Sequence, residues 1–209
     1  MNVIFRITCL LFFLPLLVSC ASSYKSINPE TLEYHNQSTN DKIEFSYRYS
    51  VLEDSQNKKY VKHEIKNHLN LVAVKITNHT GHEINPMKDV IFYVDKKPVY
   101  PVDQKITERE IKQGVPIYLL YLLMSPISIY TSTSTTNGET FNKNSFPIGL
   151  IIGPTITATN MIVAGTANKN FDEELEMYSL DKQIRDNETI FALVAFKDIG
   201  MDEMALKLK

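Results

Sequence analysis

Five bulky residues, Ile43, Phe45, Tyr47, Tyr49 and Val51, alternate with Glu44, Ser46, Arg48 and Ser50. In an extended chain that spacing puts the large side chains on one face and the polar ones on the other, so a half-buried strand is expected. "DSQNKKY" then reads as a turn. "HLNLVAVKITN" is apolar on both faces and β-branched, as a central strand would be, and it ends in the turn formers of "NHTGHEINP". "DVIFYVDKKPVYPV" reads as two short strands joined across Asp95-Lys96-Lys97, with Pro98 and Pro101 confining the second to an edge or an end. Near the C-terminus, Thr189 to Lys197 is apolar on both faces and suits the middle of a sheet, and "EMALKLK" alternates again. With no helix expected among the first four strands, the pattern predicts a mainly β domain over 41–209, an antiparallel sandwich.

The pattern changes over an insertion of about 106–186. It opens with the helix-like "TEREIKQG"; then no charged residue occurs from Gly114 to Gly138, nor from Asn144 to Asn168. Two charge-free arms joined by a polar tip predict an apolar helical hairpin. Pro116 fits a first helical turn, and Pro126 ends that helix, so Ile117 to Ser125 covers about 14 Å against a hydrocarbon core of about 30 Å. Pro154 is expected to start a second helix running to Tyr178, uncharged at first and amphipathic later. Asn160 and the threonines at 155, 157 and 159 weigh against lipid immersion. Three fates stay open for the arms: packing on the sandwich, docking on a membrane, or an oligomer or partner interface. The residues expected to make such a contact are Ile117, Leu120, Tyr121, Gly149, Ile151, Gly153 and Ile162. Gly149-x-x-x-Gly153 permits close helix approach, and Tyr118, Tyr121 and Tyr130 suit either headgroup depth or a core.

The N-terminus supplies an address. "MNVIFRITCLLFFLPLLVSC" has Arg6 near its start and an apolar run from Cys9 to Val18, the layout of a secretory signal peptide over 1–19 and too short to span a bilayer. Leu17-Val18-Ser19-Cys20 resembles the lipobox of bacterial lipoproteins. That resemblance implies cleavage before Cys20, attachment of more than one acyl chain (palmitate-type) at its thiol and amine, and stable membrane anchoring. Ala21 rather than Asp at the following position implies the outer membrane of a Gram-negative envelope. The strand layout is in turn similar to the immunoglobulin-like domains of small exported lipoproteins. Residues 20–40, rich in Ser, Thr and Asn, read as a tether.

Composition narrows the chemistry. Cys9 leaves with the leader, so Cys20 has no disulfide partner within the chain. Loss of Arg6 leaves 21 basic against 24 acidic residues, a formal charge of −3, and no footprint for nucleic acid. His79-x-x-His82-Glu83 is the only local cluster of metal-ligand type, and it falls in a Gly-containing turn without the helical spacing that fixes such ligands. "DEELE" reads as a solvated helix face. No G-x-S-x-G and no phosphate-cradling loop occurs. The expectation is therefore a non-enzymatic, envelope-anchored structural or interaction module without cofactor or metal. Its partners would be the membrane, through the lipid, and an envelope protein or a second copy. A carrier or sensor of an apolar ligand, held between hairpin and sheet in a pocket lined by Ile117, Leu120, Ile151 and Ile162, is the alternative.

Overall fold

A computed structural model describes residues 20–34, 36–40, 42–134 and 140–209. The leader predicted over 1–19, with Arg6 and Cys9, lies outside the described residues. The chain divides into two compact units: residues up to Ser23 with Gly114–Ala167, and Tyr24–Gln113 with Asn168–Lys209.

The second unit holds two antiparallel sheets. β1 (Asn36–Asn40), β2 (Ile43–Arg48), β3 (Leu69–Asn78) and β8 (Thr189–Lys197) form one in the order β1-β2-β3-β8, and β4 (Val90–Val94), β5 (Lys97–Val99) and β9 (Met204–Leu208) form the other in the order β5-β4-β9. A single core joins them. Phe45 and Tyr47 of β2, Val72 and Val74 of β3, and Phe196 of β8 meet Phe92 of β4 and Leu206 of β9, with Phe92 ring centroids 5.8 Å from Phe45 and 5.2 Å from Phe196. The predicted alternation in β2 is present, since Ile43, Phe45 and Tyr47 are buried while Glu44 is exposed. β4 and β5 turn at Asp95 and Lys96, both with positive φ, and β5 is an edge strand, as Pro98 within it requires.

Three expectations fail. First, the chain is not mainly β. The predicted strand ends at Arg48, so Val51 opens a helix, α1 (Val51–Asp54), and a second helix, α2 (Lys58–Lys66), begins within the predicted turn; both touch β3. The sequence concealed α2 because only Tyr60 and Glu64 on it are buried, while Ile65 is 70% exposed. Together with α3 (Pro86–Asp89) and α4 (Gln104–Ile111, capped by Asp103), helices make up a large part of the unit. Second, β8 is an edge strand. Its apolar faces survive there because the free edge is covered: the Leu193 N–H donates to the Tyr178 carbonyl at 2.9 Å and the Val102 N–H to the Ala195 carbonyl at 2.8 Å. Third, residues 24–34 are not a free tether. Tyr24, Ile27 and Pro29 are buried, the Lys25 N–H donates to Asn57 at 2.8 Å, and the Tyr34 hydroxyl donates to the Pro29 carbonyl.

Glu64 shows how helix and sheet are joined. The β2–β3 ladder stops at Arg48 opposite Ala73, and beyond it the Leu71 N–H donates to Glu64 Oε1 at 2.6 Å. Burial pushes the Glu64 carboxyl up to about 7; the Leu71 bond pulls it down and the Glu53 charge adds a little upward. Its folded value thus lies above the unfolded one of 4.5. Its contribution to stability is full below pH 4.5 and is lost as pH rises towards about 7. Glu64→Gln keeps an oxygen for Leu71 and removes the charge. We expect it to match the parent at pH 4.5 and to exceed it by about 2 kcal/mol at pH 8 in denaturant titrations. Equal pH profiles would contradict this.

Candidate functional site

The first unit is built on a 3₁₀ helix (Val115–Met124), the strands β6 (Ile129–Ser134) and β7 (Thr140–Phe146), and the first part of α5 (Gly149–Met177). The predicted helical hairpin is thus only half helical in the α sense. Its first arm is 3₁₀, and the two arms are joined by an antiparallel ribbon whose turn, 135–139, lies outside the described residues. Pro154 does not begin the second helix, which starts at Gly149 and runs 29 residues with Pro154 inside it. Pro154 is the sixth helical residue, beyond the four N–H groups that have no partner within the helix, so it costs the bond its own nitrogen would have made but does not end the helix. The charge-free part, Gly149 to Asn168, is therefore continuous and spans about 30 Å, enough by length and composition to cross a bilayer.

Small residues form the inner face of α5. Gly149, Gly153, Thr157, Asn160, Ala164 and Ala167 are buried, at spacings of three or four. A Cβ at Gly149 would lie 2.1 Å from the Met124 carbonyl oxygen, and one at Gly153 2.9 Å from that of Tyr121. The Gly-x-x-x-Gly spacing therefore serves a contact inside the chain, between α5 and the 3₁₀ helix. Tyr118 and Tyr121 fill this seam with Ala164, and Ala21, Val115, Ile156 and Met161 pack around them.

The aliphatic residues face outward. Ile117 is 52% exposed, Leu120 and Ile151 57%, Ile162 68% and Leu123 77%, whereas Tyr118 and Tyr121 are 2% and 5% exposed. Of the seven residues expected to make a contact, Ile117, Leu120, Ile151 and Ile162 thus present a surface; Gly149, Gly153 and Tyr121 build the seam behind it. Leu119, Leu122, Leu123 and Leu150 are exposed as well and were not singled out by sequence. In a run apolar on every side, nothing in the pattern says which residues face in.

Three polar side chains of this helix bond back to its own carbonyls. The Thr155 hydroxyl donates to the Ile151 carbonyl at 2.7 Å and Thr157 to Gly153 at 2.9 Å, so these threonines weigh less against a lipid setting than composition suggested. Asn160 Nδ2 donates to the Ile156 carbonyl, and its Oδ1 accepts the Ala21 N–H at 2.5 Å. The exposed Cys20 is consequently one peptide from a fixed point on α5.

Beyond Asn168 the helix belongs to the other unit, and "DEELE" is not simply a solvated face. Asp172 pairs with Lys112 at 2.6 Å. Glu174 is buried and accepts from the Tyr24 hydroxyl at 2.5 Å, the Ile27 N–H at 2.7 Å and the Ser26 hydroxyl. His79 Nδ1 lies 2.9 Å from Asn187 Oδ1 and its Nε2 3.5 Å from Glu44, while His82 contacts the Thr80 carbonyl. No group of three metal-ligand side chains gathers among the described residues. A cleft of about 600 Å³ lies in the second unit, lined by Val102, Asp103, Glu108, Leu175, Leu180 and Leu193 among others, and not by the residues expected of an apolar-ligand pocket. The chain matches no protein-family model, no curated protein and no solved structure.

Proposed function

We propose that this chain is a bacterial envelope lipoprotein, acylated at Cys20 and held at the outer membrane, and that it acts without catalysis as a structural or interaction module. The observation that carries this reading is the set of outward aliphatic side chains, among them Ile117, Leu120, Leu123, Ile151 and Ile162, on the unit that also contains Cys20. The lipobox-like Leu17-Val18-Ser19-Cys20 supplies the address.

The sheets favour an immunoglobulin-like scaffold for this module. In that layout strands B and E are neighbours in one sheet and C and F in the other. Here β3 pairs with β8 and β4 with β9, while the chain changes sheet between β3 and β4 and again between β8 and β9. Helices α1 and α2 and the first unit are additions to it.

Expression with the native leader in a Gram-negative host, followed by mass analysis of the N-terminal peptide, tests the address. The expected product begins at Cys20 and carries a diacylglyceryl group and an amide-linked acyl chain, in the outer-membrane fraction. An unmodified chain, or one beginning elsewhere, would overturn it.

A further inference from the structure

We infer that the unit formed by Cys20–Ser23 and Gly114–Ala167 seats its aliphatic surface in the lipid bilayer itself, lying along the membrane beside its own acyl chains. The inference rests on the proposed acylation for its orientation, and three observations point to lipid.

The surface is inverted. Tyr118 and Tyr121 are buried while five leucines and isoleucines of the 3₁₀ helix are exposed, the reverse of what water selects in a helix of mixed residues. The surface also lacks a charged rim: Asp, Glu, Lys and Arg are absent from Gly114 to Gly138 and from Asn144 to Asn168. Protein interfaces carry a polar rim around their apolar centre, whereas hydrocarbon rejects charge.

The exposed Thr155 has its hydroxyl satisfied within its own helix, on the Ile151 carbonyl, so little hydrogen bonding is lost at that position when water is replaced by acyl chains.

Two points set the orientation. Ala21 is fixed to Asn160 at 2.5 Å, so the acyl attachment at Cys20 holds that level of α5 at the headgroup boundary. At the helix start, β6 and β7 pair, among the described residues, only with each other, and an open two-stranded ribbon does not enter hydrocarbon. Tyr130 and Phe146, both exposed at the root of the ribbon, suit headgroup depth. With both levels at the interface and about 17 Å of helix between Gly149 and Asn160, α5 lies along the membrane rather than across it.

The chain has no tryptophan, so one introduced residue reports alone. Leu123→Trp and Ile162→Trp place the probe on the 3₁₀ helix and on α5, and Tyr100→Trp, at an exposed site of the other unit, is the control. Each is made in the mature chain bearing Cys20→Ala and mixed with phosphatidylcholine vesicles with and without brominated acyl chains. We expect blue-shifted emission and at least twofold quenching by bromolipid for the first two, neither for the control, and binding insensitive to salt. Leu120→Asp with Leu123→Asp should weaken vesicle binding at least tenfold. Water-like, unquenched emission at both sites would overturn the inference, as would a blue shift without vesicles in a dimeric chain. The mass of the N-terminal peptide judges acylation separately, so either idea can fail alone.

Discussion

Glu174→Ala is expected to lower the stability of the second unit by about 3–5 kcal/mol and to release the segment from Tyr24 to Tyr34. Glu174 accepts three hydrogen bonds from that segment, those of the Tyr24 hydroxyl and the Ile27 N–H being buried. Removing a buried charged acceptor leaves each donor without a partner, at about 1–3 kcal/mol apiece. The Tyr24 phenol stays a donor through the ordinary pH range, because burial first and the Glu174 carboxylate second hold its pKa far above the usual value. Its ring also closes a triangle with Tyr60 at 5.1 Å and Phe171 at 5.4 Å, so the loss of one bond loosens an aromatic cluster. Denaturant titration monitored by near-ultraviolet tyrosine signals, with proteolysis of residues 24–34, reads both effects. Glu174→Gln retains an acceptor oxygen and should fall between. An unchanged midpoint with a protected segment would show that the bonds contribute little.

Gly149→Ala is the second large effect, and its sign is opposite to the usual one. In an open helix the change stabilises by about 1 kcal/mol, since alanine loses less backbone freedom. Here the added methyl would meet the Met124 oxygen at 2.1 Å, the Ser125 oxygen at 2.7 Å and the Ile127 nitrogen at 2.8 Å, all main-chain atoms that cannot rotate away. The same turn accepts the Gly149 N–H on the Ile127 carbonyl at 2.8 Å, and that bond must also stretch. A loss of about 3 kcal/mol is expected. Gly165, with nothing within 4 Å of a built Cβ, is the internal control, and Gly165→Ala should gain up to about 1 kcal/mol. Unfolding of both variants in the Cys20→Ala background, with vesicles present, checks the pair. Equal shifts would mean that the seam is looser than it stands here.

Much of the strand framework was legible because a half-buried strand writes its burial into alternate residues. β2 and β9 show that alternation, and β3 shows the continuous apolar run of a strand covered on both sides. The position of β8 was not legible, since the same continuous run fits a central strand and an edge strand capped by Tyr178 and Val102. Nor was α2, whose inward residues are a tyrosine and a carboxylate; Glu64 reads as solvent-facing until the Leu71 N–H beyond the ladder is seen. Likewise Glu174 looked like one acid among several in "DEELE", and its role depends on a segment about 150 residues away in sequence.

For the candidate surface the division has a simple physical origin. Absence of charge, the two glycines four residues apart and the apolar character of both arms are properties of the residues, and the sequence by itself determined them. It also determined the position of Cys20 after a short apolar run. Which side chains face out is a property of the seam, because in a segment apolar on every side periodicity carries no information about direction. Only the tertiary structure placed Tyr118 and Tyr121 within, left Leu120, Leu123, Ile151 and Ile162 without, and fixed Ala21 to Asn160. Backbone approach at Gly149 and Gly153 decides that arrangement: where two main chains come this close, the small residues and the tyrosines that fill the seam go inward and the branched aliphatic chains are turned out.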